Sequence, residues 1–170
     1  FHSHVMDITN QESVKRMLNT ATQKIGPIHT VIYVTGKVPQ NSKLVDLSRK
    51  EWDRLVDKFI NTPAIFMQES IARFVPDGAK NPPLFKGKEG NMIIIGPDLP
   101  TGGKVTGQER ARVEVFRGAL RPFATTVNQE LSDVLKSKLR MYLILPGSVD
   151  GVEPNKDKMI NSVNYLTSGK

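Results

Sequence analysis

Cysteine is absent from the 170 residues, which removes disulfide frameworks, thiolate metal centres and cysteine nucleophiles together. A cysteine-free chain fits a reducing compartment, and a cytoplasmic location is expected. Aromatic residues are scarce, with one Trp, three Tyr and seven Phe, so stacking platforms for unpaired bases are few. No apolar run approaches the roughly 18 residues of a membrane span. No block of about five like charges marks a nucleic-acid tail. Phe1-His2-Ser3-His4 lacks the basic and apolar regions of a secretory signal. Opening without Met, the chain reads as an excised piece.

The length suits one domain with its own core and is short for two. Apolar residues make up 38% and charged residues 24%, so the chain reads as globular rather than disordered or fibrous. Lys and Arg outnumber Asp and Glu by 24 to 17, a formal charge of +7. The basic residues are scattered, from Lys15 and Arg16 to Arg117 and Arg121. That scatter points to a solvated surface or a phosphate-bearing ligand ahead of nucleic acid.

His4-Val5-Met6-Asp7-Ile8 reads as the end of a short strand. Thr9-Asn10-Gln11-Glu12 has the form of a capping box, with the Thr9 hydroxyl taking an orphan N–H and Glu12 reaching back. The helix it opens carries Val14, Met17, Leu18, Ala21 and Ile25 on one stripe, and Gly26-Pro27 stops it. Ile28-His29-Thr30-Val31-Ile32-Tyr33-Val34 is nearly continuous and β-branched, the pattern of a strand covered on both faces. Ser48 and Glu51 form a second capping box, ahead of a helix that Pro63 kinks or restarts, with Ile65, Phe66 and Ile71 buried. Residues 75–90 read as a surface loop.

Gly90-Asn91-Met92-Ile93-Ile94-Ile95 is the next buried strand. A long helix over 108–135 buries Val113, Phe116, Leu120, Phe123, Val127 and Leu131, with Pro122 expected to kink it. Leu143-Ile144-Leu145-Pro146-Gly147 is a further strand running into a turn. Residues 1–152 then form the domain, and the polar residues 153–170 form a C-terminal extension with no strand. Alternating strands and helices predict βαβ units around a doubly wound parallel sheet, an α/β fold.

The order of these features resembles the short-chain dehydrogenase/reductase (SDR) family along most of the chain. Asp7-Ile8-Thr9 is similar to the family's Asp-Val-Thr, whose Asp contacts the adenine of the nicotinamide cofactor. Tyr33-Val34-Thr35-Gly36 stands where the family has Asn-Asn-Ala-Gly and keeps only the last Gly. Asn61, in Asn61-Thr62-Pro63-Ala64-Ile65-Phe66, looks like the counterpart of a structural-catalytic Asn. Ala119-Leu120 and Asn128-Gln129-Glu130-Leu131 are similar to the second half of the catalytic helix, and Pro146-Gly147 to the Pro-Gly turn beside the nicotinamide. The resemblance implies a Rossmann-like fold, NADP as the cofactor of the parent enzyme, and Asp7, Gly36, Pro146 and Gly147 as cofactor-binding positions.

The family's chemistry is missing. Its first strand ends on a Ser that holds the carbonyl oxygen. Its helix carries a Tyr that donates a proton and, four residues on, a Lys that lowers the Tyr pKa. Here those positions read Gly96, Val113 and Arg117, so no catalytic residue is assigned. Tyr33 and Lys37 have the right spacing, but they span a strand end and a turn and cannot share a helix face.

The family's glycine loop is also missing. It should precede the first helix, and nothing before Asp7 supplies it, so the first βαβ unit is absent and the sheet truncated. Residues 5–8 are then left without neighbours for their backbone groups, a gap for the parent chain or another chain to cover. Gly102, Gly103, Lys104 and Gly107 fail the phosphate-loop pattern and read as a loop over the vestigial site. His2 and His4 lack a third ligand, so no metal is expected. His29 is expected in the core or on the adenine side. Arg110, Arg117 and Arg121 share a helix face that reads as solvated or subunit-facing, with Glu114 as a partner.

The expected function is therefore a non-catalytic SDR-fold structural domain of a larger multidomain NADPH-dependent oxidoreductase. Malonyl-CoA reductases and polyketide ketoreductases are the two kinds of parent the resemblance implies. Expected partners are the other domains of that parent, a second copy through the helix over 108–135, and an acyl-CoA attracted by the basic face. Two alternatives stand beside this. One is an active carbonyl reductase with displaced residues, drawn from Asn61, Asp98, Lys104 and Arg117. The other is a Rossmann-like module for nucleotide or RNA.

Overall fold

The structure, a computed structural model, describes Ser3, Val38 and residues 5–36, 44–74, 90–97, 107–135, 138–146 and 156–168. Its elements run α1 (Gln11–Ile25), β1 (Thr30–Val34), α2 (Arg49–Val56), α3 (Thr62–Phe74), β2 (Gly90–Ile95), α4 (Gly107–Gln129), β3 (Leu139–Ile144) and α5 (Lys156–Thr167). Residues 75–89, His2, His4, Lys37, Asp98, Gly102, Gly103, Lys104 and Gly147 lie outside the described residues, and so does the Arg110 side chain.

Asn10 caps α1, one residue later than expected. Its side chain accepts from the Ser13 N–H at 3.0 Å, while the Thr9 hydroxyl donates to the Asp7 carboxylate at 2.6 Å. Asp7 thus claims the hydroxyl, and Asn is at least as good a cap. Gly26, with φ +98°, ends the helix as the sequence predicts. The second capping box forms as read: Glu51 N–H donates to Ser48 Oγ, and Ser48 N–H to Glu51 Oε2.

Pro63 makes its adjustment one turn early. It has no N–H for the carbonyl four residues back, and the chain widens into a π-helical turn at Asp57–Asn61 just before α3. The Thr62 N–H and hydroxyl both bond the Asp57 carbonyl, the hydroxyl at 2.7 Å. Helix α4 continues through Pro122 and ends in a second π turn, Glu130–Val134.

The three described strands form one parallel sheet in the order β1-β2-β3, with Val31 opposite Met92 and Met92 opposite Met141. Side chains alternate across a sheet, so Val31, Tyr33, Met92, Ile94, Leu139 and Met141 share one face. That face is buried under Val14 and Leu18 of α1, Phe66, Met67 and Phe74 of α3, Leu120, Ala124 and Val127 of α4, and Leu131 of the π turn that follows α4. A second cluster joins α2 and the π turn to the start of α4 through Leu55, Phe59, Val113 and Phe116.

The other face is unevenly covered. Ile93 is fully buried there, and Asn91 donates to the Leu166 carbonyl of α5 at 2.8 Å. Ile32 and Val34 of β1 are 41% and 62% exposed, so β1 is not covered on both faces as its composition predicts. Ile25, expected in the α1 stripe, is 63% exposed, and Val5 is 98% exposed. Both line a cleft of about 720 Å³ with Met6, Ile8, Met17 and Ile32. The residues are as apolar as read; their cover is missing among the described residues. His29 is exposed too, because β1 begins only at Thr30 and leaves it outside the core. The polar tail, read without a strand, forms helix α5 with no buried residue.

Candidate functional site

Strands of a parallel α/β sheet gather ligands at their C-terminal ends, and the candidate positions converge there. Beyond β1, the Thr35 N–H donates to the Ile95 carbonyl at 3.0 Å, extending the ladder one residue. Gly36 follows with φ +76°, and among the described residues nothing comes within 4 Å of where a Cβ would stand. Its turn needs the left-handed conformation that glycine adopts freely, and the open space would let a ligand approach the backbone. Asp7 precedes α1, which runs back to feed β1, so this topology puts it at the same end of the sheet. Its carboxylate accepts from the Thr9 N–H at 2.9 Å and the Thr9 hydroxyl at 2.6 Å. The hydroxyl, then the N–H, hold its pKa below the ordinary carboxylate value.

Beyond β2 and β3 the site is differently built. The Gly96 N–H donates to the Ile144 carbonyl at 2.8 Å. A Cβ on Gly96 would stand 2.6 Å from Leu145 Cδ2, so a side chain here requires Leu145 to turn away. Arg117 is 7% exposed. Its Nη1 donates to the Pro97 carbonyl at 3.3 Å and to the Pro146 carbonyl, and its Nε lies 3.9 Å from Glu114 Oε2. The pairing with Glu114 is as predicted; the solvated position is not. Arg117 is turned inward by two carbonyl dipoles, whereas Arg121 on the same stripe is exposed.

Val113 is 2% exposed and packs with Phe59 and Phe116, whose ring centroids lie 5.1 Å apart; Trp52 stacks on Phe116 at 5.7 Å. The position that the SDR alignment gives to a proton donor is thus a packing position between helices. Asn61 is exposed and donates to Asp57 Oδ1 at 2.7 Å. Tyr33, half of the other Tyr-Lys spacing, points into the core against Phe66 at 5.4 Å, and burial pushes its phenol up to about 12.

A nicotinamide cofactor fits one end of this edge and not the other. Gly36 offers an open backbone and Asp7 an exposed carboxylate. At the β2–β3 end, Gly96 has no hydroxyl, Val113 no exchangeable proton, and the Pro146 carbonyl accepts from Arg117. Among the described residues no group of three or more His, Cys, Asp or Glu could hold a metal. No described helix is long and apolar enough to cross a membrane.

No protein-family model matches the chain. It is 25% identical over 145 residues to an uncharacterised oxidoreductase of Staphylococcus aureus strain MW2, covering 85% of this chain and 55% of that protein. It is 23% identical over 144 residues to a short chain dehydrogenase of Penicillium rubens, covering 84% and 50%. The chain spans about half the length of these curated relatives. In fold it is similar to a metagenomic short-chain oxidoreductase solved in complex with NADP, with TM-score 0.73, 20% identity, and 99% and 68% of the two chains covered. A 3-ketoacyl-(acyl-carrier-protein) reductase from Brucella melitensis, complexed with NADH, gives TM-score 0.74 at 16% identity over 97% and 70%.

The chain is related to the short-chain dehydrogenases/reductases, and its three described parallel strands and their helices match part of a Rossmann-like fold of that kind.

Proposed function

We propose that the chain is a non-catalytic SDR-fold domain of a larger NADPH-dependent oxidoreductase, of the kind found in malonyl-CoA reductases or polyketide ketoreductases. The observation that carries this is the inward commitment of the two positions that align with the catalytic Tyr and Lys. Val113 is packed against Phe116, and Arg117 is bonded to two backbone carbonyls. Reduction of a carbonyl needs a proton donor within hydrogen-bond reach, and a valine among aromatic rings supplies none.

A structural role also accounts for the open side of the sheet. Among the described residues β1 is an outer strand with no partner on its far side. Ile32 and Val34 lie on its open face, Ile32 lining the cleft beside Val5 and Ile25; proteins usually cover such an edge. In this reading the neighbouring domains supply that cover, residues 1–152 form the domain proper, and 153–170 form its extension. Asp7, Gly36, Pro146 and Gly147 are what remains of the cofactor edge. Helix α4 faces a second copy, the basic surface draws in an acyl-CoA, and the parent works in the cytoplasm.

The test is turnover. Incubated with NADPH and a thioester or ketone substrate, the folded chain is expected to oxidise no NADPH above background. Saturable NADPH oxidation by the purified chain would overturn the reading.

A further inference from the structure

Three features meet where β2 and β3 end. The Gly96 N–H to Ile144 carbonyl bond, 2.8 Å, is the outermost hydrogen bond between these strands among the described residues. Just past it, the carbonyls of Pro97 and Pro146 point at one nitrogen of Arg117. Beside it, Leu145 reaches across to the place a side chain on residue 96 would take.

We propose that Arg117 is a positioning residue that ties the two turns together and closes the crevice between β2 and β3. Pro97 and Pro146 are separated by 49 residues of chain, yet their carbonyl oxygens both accept from one guanidinium nitrogen. A buried cation needs partners to offset its lost hydration. Two carbonyl oxygens at the negative ends of their dipoles, with Glu114 at 3.9 Å, supply them.

Arginine suits the task because its charge does not titrate away and its planar head carries five N–H donors in fixed directions. Arg117 stands four residues after Val113 and three before Leu120, on one face of α4, and all three are buried. The tie rests on this geometry alone; only its consequence, that a nicotinamide ring is kept out of the crevice, rests on the non-catalytic reading.

The test is amide hydrogen exchange by NMR on the whole chain, comparing the natural protein with Arg117→Ala and Arg117→Met. The methionine variant keeps the apolar stem and adds no buried charge, so it serves if the alanine variant fails to fold. The Gly96 amide is expected to exchange at least tenfold faster in the folded variant. The Met141 amide, held by Asn128 Oδ1 at 2.9 Å further along β3, keeps its protection and reports that the sheet is intact. Unchanged protection at Gly96 in a folded variant would overturn the tie. So would equal acceleration at Gly96 and Met141, which would mean general loosening. NADPH turnover would remove the non-catalytic reading and leave the tie standing.

Discussion

The side-chain amide of Asn128 pairs with both backbone groups of Met141. It donates to the carbonyl at 2.7 Å and accepts from the N–H at 2.9 Å. β3 is one of the two outer strands of the described sheet, and α4 thus gives its middle a neighbour that a strand would otherwise provide. Changing Asn128 to Ala leaves a donor and an acceptor without this partner. A loss of about 1–3 kcal/mol is expected, read as a lower midpoint in urea with the slope unchanged.

Arg73 and Glu69 bind α1 to α3. The Arg73 side chain is wholly buried, with Nη1 2.8 Å from Glu69 Oε2 and Nε 3.0 Å from Asn19 Oδ1, and Gln11 donates to Glu69 Oε1 at 2.7 Å. Removing one partner strands the other, so Arg73→Ala is expected to cost about 3–5 kcal/mol.

The same pair makes a pH prediction. Burial raises the Glu69 pKa, but the hydrogen bonds from Arg73 and Gln11, with the charges of Arg73 and Lys15, outweigh it and hold the carboxyl below its ordinary range. A depressed folded pKa stabilises above the unfolded value and is lost as pH falls through the folded one. Urea melts should therefore weaken as pH drops below about 4.3, and Glu69→Gln should reduce that dependence. An unchanged acid slope in the variant would contradict the assignment.

Restoring a phenol does not restore a reductase. Val113→Tyr pushes a ring into the Phe59–Phe116 cluster and is expected to cost about 1–3 kcal/mol by overpacking, visible as a lower Tm. NADPH oxidation stays at background, because Arg117 and Gly96 remain as they are. Activity in this variant would show that the crevice is open.

Much of this was legible in the sequence. Ser48 and Glu51 announce their capping box, and the β-branched runs announce β1 and β2. The alignment of Val113 and Arg117 with a Tyr and a Lys picks out two positions of α4 that the structure buries. What was not legible depends on distant partners. Arg117 and Arg121 look alike on one stripe, and only the Pro97 and Pro146 carbonyls, 20 and 29 residues from Arg117, turn the first inward. Ile32, Val34 and Ile25 are as apolar as core residues, and pattern alone cannot say that their cover lies elsewhere. Helix α5 escaped notice because it buries nothing, so its sequence carries only a weak stripe. Thr9 and Asn10 are both good caps, and the Asp7 carboxylate decides between them.

The most direct measurement is NADPH affinity, by fluorescence or calorimetry, on the whole gene product that contains this chain, with any active neighbouring cofactor site disabled. The account predicts a folded protein without saturable NADPH binding at this domain. Stoichiometric binding that Gly36→Val abolishes would contradict it, and would mean that the edge beside Asp7 and Gly36 still holds a working cofactor.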